Sequence, residues 1–157
     1  MTDHIRIRPA SGADDMRVLA DLFRGYAASL PVDLDYQDFD DELAALPGKY
    51  APPKGVLLLA RDADGALGCV GLRALAEGVC EMKRLYLLPA ARGLGLGRAL
   101  ADAAVAEARR LGYRELRLDT LPTMARAIAM YEQMGFERIE PYYRPTPPGT
   151  VFMALRL

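Results

Sequence analysis

The period of the hydrophobic pattern changes several times along the chain, and each change marks an element. Ile5-Arg6-Ile7-Arg8 alternates apolar and basic residues, the period-two pattern of a strand, and Pro9 ends it. Beyond Asp14 and Asp15, apolar residues recur at helical spacing: Met16, Leu19, Leu22, Phe23, Tyr26 and Leu30. Pro31 stops that helix, and a shorter one is predicted from Asp38 to Leu46, closed by Pro47-Gly48. Val56 to Arg61 is a continuous apolar run of strand length. Asp62-Ala63-Asp64-Gly65 makes a hairpin turn, so Leu67 to Leu75 pairs back. After a second turn at Glu77-Gly78, Val79 to Leu88 completes an antiparallel meander that Pro89 ends.

The second half reads differently. Gly93 to Gly97 is a glycine loop, and Arg98 to Leu111 is a helix with Leu100, Ala104, Ala108 and Leu111 on one side and Gly112 as its C-terminal cap. Leu116 to Asp119 is a strand, and Ala125 to Met134 a helix capped by Gly135, with Phe136 placed for the hydrophobic contact of that cap. Val151 to Leu157 is a last strand after Pro147-Pro148-Gly149. The order β-α-α-β-β-β-α-β-α-β is mixed α/β: one sheet with helices on both sides. At 157 residues it is a single domain, 1–157.

Composition narrows the function. With 20 basic against 21 acidic residues there is no excess positive charge, which argues against a general nucleic-acid binder. No apolar run is long enough to cross a membrane, and the N-terminus lacks an apolar signal core, so the expected compartment is the cytoplasm. Cys69, Cys80 and the lone His4 cannot furnish a disulfide framework or a four-ligand metal site, so no metal is expected. The chemistry must come from loops, carboxylates and tyrosines.

Arg92-Gly93-Leu94-Gly95-Leu96-Gly97-Arg98 lies between a strand and a helix. Glycines permit positive φ and remove the Cβ atoms that keep a ligand from the backbone. The first N–H groups of the following helix have no intrahelical partner, and its dipole favours an anion there. A plain tight connection needs one glycine; three in alternate positions flanked by arginines favour a phosphate cradle. A P-loop requires Gly-Lys-Ser/Thr at the helix start, and Gly97-Arg98-Ala99 is not that. A dinucleotide fingerprint requires a third glycine where Arg98 or Leu100 stands, although Asp119 at the end of the next strand could imitate its ribose-binding acid.

The pattern Arg/Gln-x-x-Gly-x-Gly/Ala is met by Arg92, Gly95 and Gly97, and here the chain resembles the GNAT superfamily of acyl-CoA-dependent N-acetyltransferases. The resemblance covers nearly the whole length. Leu85-Tyr86-Leu87-Leu88-Pro89 resembles the family's fourth strand, and Ala127-x-x-x-Tyr131-x-x-x-Gly135-Phe136 its later helix. It implies a mostly antiparallel mixed sheet of six to seven strands, splayed at the cofactor site, with acetyl-CoA as acyl donor. It implies that the N–H groups of Gly93, Leu94, Gly95, Leu96, Gly97 and Arg98, with Arg92, hold the CoA pyrophosphate. The strand backbone at Leu85, Tyr86 and Leu87 would pair with the pantetheine arm, Ala127 on the later helix would contact the cofactor, and the Leu87 N–H would support the thioester oxygen. Tyr131 would be the general acid towards the thiolate. Met124 stands where the family often has Asn, whose hydrogen bonds a thioether cannot make.

Direct transfer needs a neutral amine, yet a lysine-like amine is neutral only about once in 2,500 at pH 7, a penalty near 4.6 kcal/mol. A carboxylate in the site can take that proton. Glu81, eleven residues before Arg92, resembles in its spacing the general-base glutamate of some family members. The other reading of the same residue is a cross-strand ion pair with Lys83 or Arg84. Tyr26, Tyr36, Tyr142 and Tyr143 lie on segments that would face the acceptor, either stacking on it or covering the sheet edge. The acidic run Asp33 to Glu42 either attracts a cationic amine or is a solvated helix start. The acceptor is a small-molecule, peptide or protein amine, and a terminal edge strand makes a homodimer plausible. The competing functions are a non-catalytic acyl-CoA-binding module and a dinucleotide-binding oxidoreductase.

Overall fold

A computed structural model of the chain describes residues 4–157, without the side chains of residues 35 and 36. Among the described residues, seven strands form one sheet in the order β1-β2-β3-β4-β5-β7-β6. They are β1 (Arg6–Pro9), β2 (Val56–Asp62), β3 (Gly65–Ala76), β4 (Val79–Leu87), β5 (Glu115–Thr120), β6 (Glu137–Ile139) and β7 (Val151–Arg156). Four α-helices accompany them among the described residues: α1 (Gly12–Ser29), α2 (Phe39–Ala45), α3 (Leu96–Arg110) and α4 (Ala125–Gln133). All neighbours pair antiparallel except β4 with β5.

Alternation along the strands sorts side chains into two cores, one per face. On β2, Leu57 and Leu59 pack with Leu19, Phe23, Phe39 and Tyr50 under α1 and α2. Val56, Leu58 and Ala60 point the other way, joining Leu100, Ala104 and Ala108 of α3 and Tyr131 and Phe136 around α4. The meander, both flanking helices and the final strand stand where their hydrophobic period predicts them. The short β6 was not expected; it is three residues long, Glu-Arg-Ile, too brief to show a period, and it exists because β7 offers it an open edge. The α3 helix starts at Leu96, two residues earlier than Arg98, because Gly95 at φ +77° supplies the left-handed cap and lets Gly97 enter the first turn.

Two irregularities shape the centre of the sheet. The β4–β5 pairing runs only from Val79↔Glu115 to Glu81↔Arg117, and from Met82 onward β4 has no strand on that side. In the β3–β4 ladder, one residue between Cys69 and Gly71 faces two between Lys83 and Tyr86, a bulge with Arg84 at φ +63°. The bulge puts Lys83 and Arg84, adjacent in sequence, on the same face of the sheet.

Candidate functional site

The glycine loop sits at the open end of β4. Gly93 and Gly95 have φ of +84° and +77°, and a Cβ on either would meet nothing within 4 Å. Their positive φ explains why they are glycine. Gly97 is different: it lies in the helical first turn of α3, and a Cβ there would touch only Leu87 Cδ1, at 3.6 Å. Nothing in the fold requires glycine at that position, and glycine costs a helix about 0.8–1 kcal/mol relative to alanine. Space kept clear in front of a helix N-terminus suits a group that arrives from outside. Among the described residues, the N–H groups of Gly93 to Arg98 donate to no backbone carbonyl, whereas those of Ala91 and Arg92 close the preceding 3₁₀ turn on Leu88 and Pro89. The loop therefore fits a diphosphate: it offers free donors, no intruding Cβ and the positive end of a helix. Arg92 is turned back, donating to the Leu87 carbonyl at 3.1 and 3.3 Å and lying over the Tyr86 ring, so it braces the end of β4.

Between the diverging strands lies a narrow cleft of about 40 Å³, lined among others by Tyr26, Lys83, Arg84, Leu85, Asp119, Met124 and Tyr131. Tyr131 is placed there by the end of α4. The Gly135 N–H donates to the Glu132 carbonyl and the Phe136 N–H to the Tyr131 carbonyl, the paired bonds of a glycine-capped helix. Phe136 then packs its ring 5.5 Å from that of Tyr131. The Tyr131 phenol is buried, and desolvation, reinforced by Tyr26 and Asp119, pushes its pKa above the ordinary tyrosine value. It is a protonated donor at every physiological pH. Met124 precedes α4 and gives it no side-chain cap.

On the α1/α2 face the cleft meets a larger cavity of about 530 Å³, walled by Glu42, Tyr50, Arg73, Glu81, Lys83, Tyr142 and Tyr143 and entered past Asp38, Asp41 and Lys49. Gln37 and Lys83 line both spaces. Of the tyrosines singled out in the sequence, Tyr142 and Tyr143 stand in this wall, Tyr26 lines the cleft instead, and the side chain of Tyr36 lies outside the described residues.

Glu81 is only 1% exposed, and both its oxygens are engaged: Arg73 Nε donates to Oε1 at 3.0 Å and the Tyr142 hydroxyl to Oε2 at 2.6 Å. The cross-strand ion pair considered for Glu81 thus forms with Arg73, its register partner on β3, and not with Lys83 or Arg84. Arg84 instead forks onto Glu42 at 2.9 and 2.8 Å, donates to Gln37 at 2.6 Å and lies over the rings of Tyr26 and Phe39. Burial would raise the Glu42 pKa; the Arg84 hydrogen bonds and charge, with the Tyr50 hydroxyl and Lys83, outweigh it and leave the pKa lowered. Exposed Asp40 and Asp41 behave as a solvated helix start, but Glu42 at the end of that acidic run turns inward.

Two buried groups stand in a relation other than the ones read from the sequence, Asp119 as a ribose-binding acid and Lys83 as a partner of Glu81. Asp119 stands at the end of β5, past its last pairing with β4, and accepts from the Tyr143 hydroxyl at 2.8 Å. Lys83 Nζ lies 3.9 Å from Asp119 Oδ1. Desolvation, together with Arg84 and Arg73, lowers the Lys83 pKa against the opposing pull of Glu81 and Asp119. The alternation that fills a strand's polar face hints at Lys83, but only the splay brings it to Asp119. Cys69 and Cys80 are buried, and burial pushes both thiols up to about 12, so neither is a nucleophile at neutral pH. Among the described residues no cluster of metal-ligating side chains exists, and no helix is long and apolar enough to cross a membrane.

Comparison with known proteins gives a consistent picture. The model of the acetyltransferase (GNAT) family matches residues 18–136. An uncharacterized N-acetyltransferase of Schizosaccharomyces pombe is 42% identical over 146 residues, covering 92% of this chain and 88% of that protein. A crystal structure from Klebsiella pneumoniae, described as an acyl-CoA N-acyltransferase, superposes with a TM-score of 0.75 at 29% identity, covering 98% of this chain and 97% of the other. A Salmonella typhimurium structure, described as an acetyltransferase with its cofactor acetyl-CoA, shares the fold at a TM-score of 0.75 and 20% identity, covering 98% and 94%.

Proposed function

This chain belongs to the acetyltransferase (GNAT) family and is an acyltransferase, and from that premise we propose that it transfers the acetyl group of acetyl-CoA directly to a primary amine. The observation that carries this reading is the run of uncommitted amides from Gly93 to Arg98, with space kept open before Gly97, beside a strand edge that lacks a partner from Met82 onward. Those amides hold the diphosphate, and the Leu85–Leu87 edge takes the amides of the pantetheine arm as an added strand would. Ala127, half-buried on α4, flanks the same path. Acetyl-CoA supplies the acetyl group as an activated thioester.

The chain's own residues supply the proton traffic. Tyr131, buried and protonated in the cleft, gives its proton to the departing thiolate. The Leu87 N–H steadies the thioester oxygen, a service worth about 10²–10³ in rate. The acceptor enters the larger cavity between α2 and the Tyr142–Tyr143 loop, and its ammonium proton passes to a buried carboxylate. Glu81 faces that cavity with Arg73 and Tyr142 fixing both oxygens, so it acts through a water or through Tyr142; Asp119 lines the cleft itself beside Tyr131.

Calorimetry with acetyl-CoA, followed by a thiol-release screen over primary amines, tests the proposal. Stoichiometric binding and acceptor-dependent thiol are expected. Failure to bind acetyl-CoA overturns it, and binding with no acceptor-dependent thiol points to the non-catalytic module.

A further inference from the structure

A buried ammonium is costly to keep charged unless anions surround it. The Lys83 side chain is only 4% exposed, and its ion-pair partner Asp119 lies at 3.9 Å, outside hydrogen-bonding distance. Among the described residues Lys83 donates no hydrogen bond, while its neighbours Arg73 and Arg84 are both committed to carboxylates. Its donors open where the cleft and the larger cavity meet. Asp119 at the same junction has one oxygen engaged by Tyr143 and the other turned towards Lys83. The junction therefore presents one positive and one negative group side by side, both with bonding capacity left.

An acceptor complementary to that junction carries the same two charges in reverse, on neighbouring carbons. We propose that the acceptor is a small amino acid-like zwitterion, its carboxylate held by the Lys83 ammonium and its amino nitrogen facing Asp119. The inference rests on the acetyltransferase reading and narrows its substrate class. A polycation fits worse, because although Asp38 and Asp41 line the way in, at the junction it must set its charge beside the Lys83 ammonium. An apolar amine fits worse again, because it removes water from Lys83 and returns no hydrogen bond.

The test compares thiol release from acetyl-CoA for matched acceptors: L-amino acids, their amides and their decarboxylated amines, with putrescine and spermidine as polycations. At least one amino acid is expected to exceed its amide and its decarboxylated amine by about tenfold or more in kcat/KM, as loss of one charged contact implies. Lys83→Met is expected to raise KM for that amino acid at least tenfold more than for its amide, and Lys83→Arg to recover most of the loss. Amides or polyamines turned over as well as amino acids overturn the inference, as does a Lys83→Met effect equal on acid and amide. The wild-type comparison needs no variant, so it decides the matter even if Lys83→Met does not fold. Acetyl-CoA binding with no amino acid acetylated overturns this inference alone; no acetyl-CoA binding overturns the acetyltransferase reading beneath it.

Discussion

Gly97→Ala and Gly97→Glu together separate what the fold needs from what a ligand needs. The residue is helical and the alanine methyl would meet only Leu87 Cδ1, at an ordinary contact distance of 3.6 Å. For the free protein the alanine exchange removes glycine's excess unfolded-state entropy and stabilises by about 0.5–1 kcal/mol. In a chain of this size that raises the melting temperature by about 1–4 °C. In the complex a methyl is tolerated, as the Gly/Ala alternative at this position of the motif implies, whereas the longer side chain of Gly97→Glu intrudes on the first-turn amides. Losing one hydrogen bond to a charged phosphate oxygen costs about 1.5–3 kcal/mol, which is about a 10- to 150-fold weaker Kd. Thermal melting without ligand and calorimetry with acetyl-CoA read the two effects independently. Gly97→Glu, which adds a carboxylate to the cradle, is expected to abolish binding altogether. A Gly97→Glu protein with unchanged acetyl-CoA affinity would refute the assignment of the loop, and a Gly97→Ala protein that melts lower would show that the position is glycine for packing reasons.

Tyr131→Phe is expected to lower kcat by about 100-fold or more, the range of a lost general acid, while calorimetry finds the acetyl-CoA affinity nearly unchanged; wild-type turnover would return the residue to core packing. Gly71→Ala drives a Cβ to 2.7 Å from Tyr50 Cε1, and overpacking of that kind costs about 1–3 kcal/mol, readable by urea unfolding. The Glu42 pKa is lowered in the fold from an ordinary value of 4.5, so its contribution to stability is fully present above that value and is lost as the pH falls through the folded one. Glu42→Gln should accordingly show a stability deficit at neutral pH that narrows below pH 4.5, and a deficit constant with pH would contradict the Arg84 pairing.

Much of this architecture is legible because it rests on local pattern. The meander follows from runs bounded by Asp64-Gly65 and Glu77-Gly78, and the cap that seats Tyr131 follows from Gly135-Phe136. The glycine loop reads as a phosphate cradle because its chemistry belongs to the backbone and depends on no distant partner. What could not be read comes from contacts between segments far apart in the chain. The Arg84–Glu42 fork depends on a bulge with a non-glycine residue at positive φ, which no residue type announces. The Lys83–Asp119 junction arises because β4 and β5 part after Glu81↔Arg117. Glu81 illustrates the limit: its charge and strand position were plain, but the choice of Arg73 as partner needed the β3 register.

The central claim, that the amides from Gly93 to Arg98 grip the diphosphate of CoA, is tested most directly by following backbone amide resonances during titration with acetyl-CoA. The account predicts that the largest shifts and new exchange protection fall on those six residues, with smaller changes along Leu85–Leu87. Saturable binding that leaves all six resonances in place would contradict it.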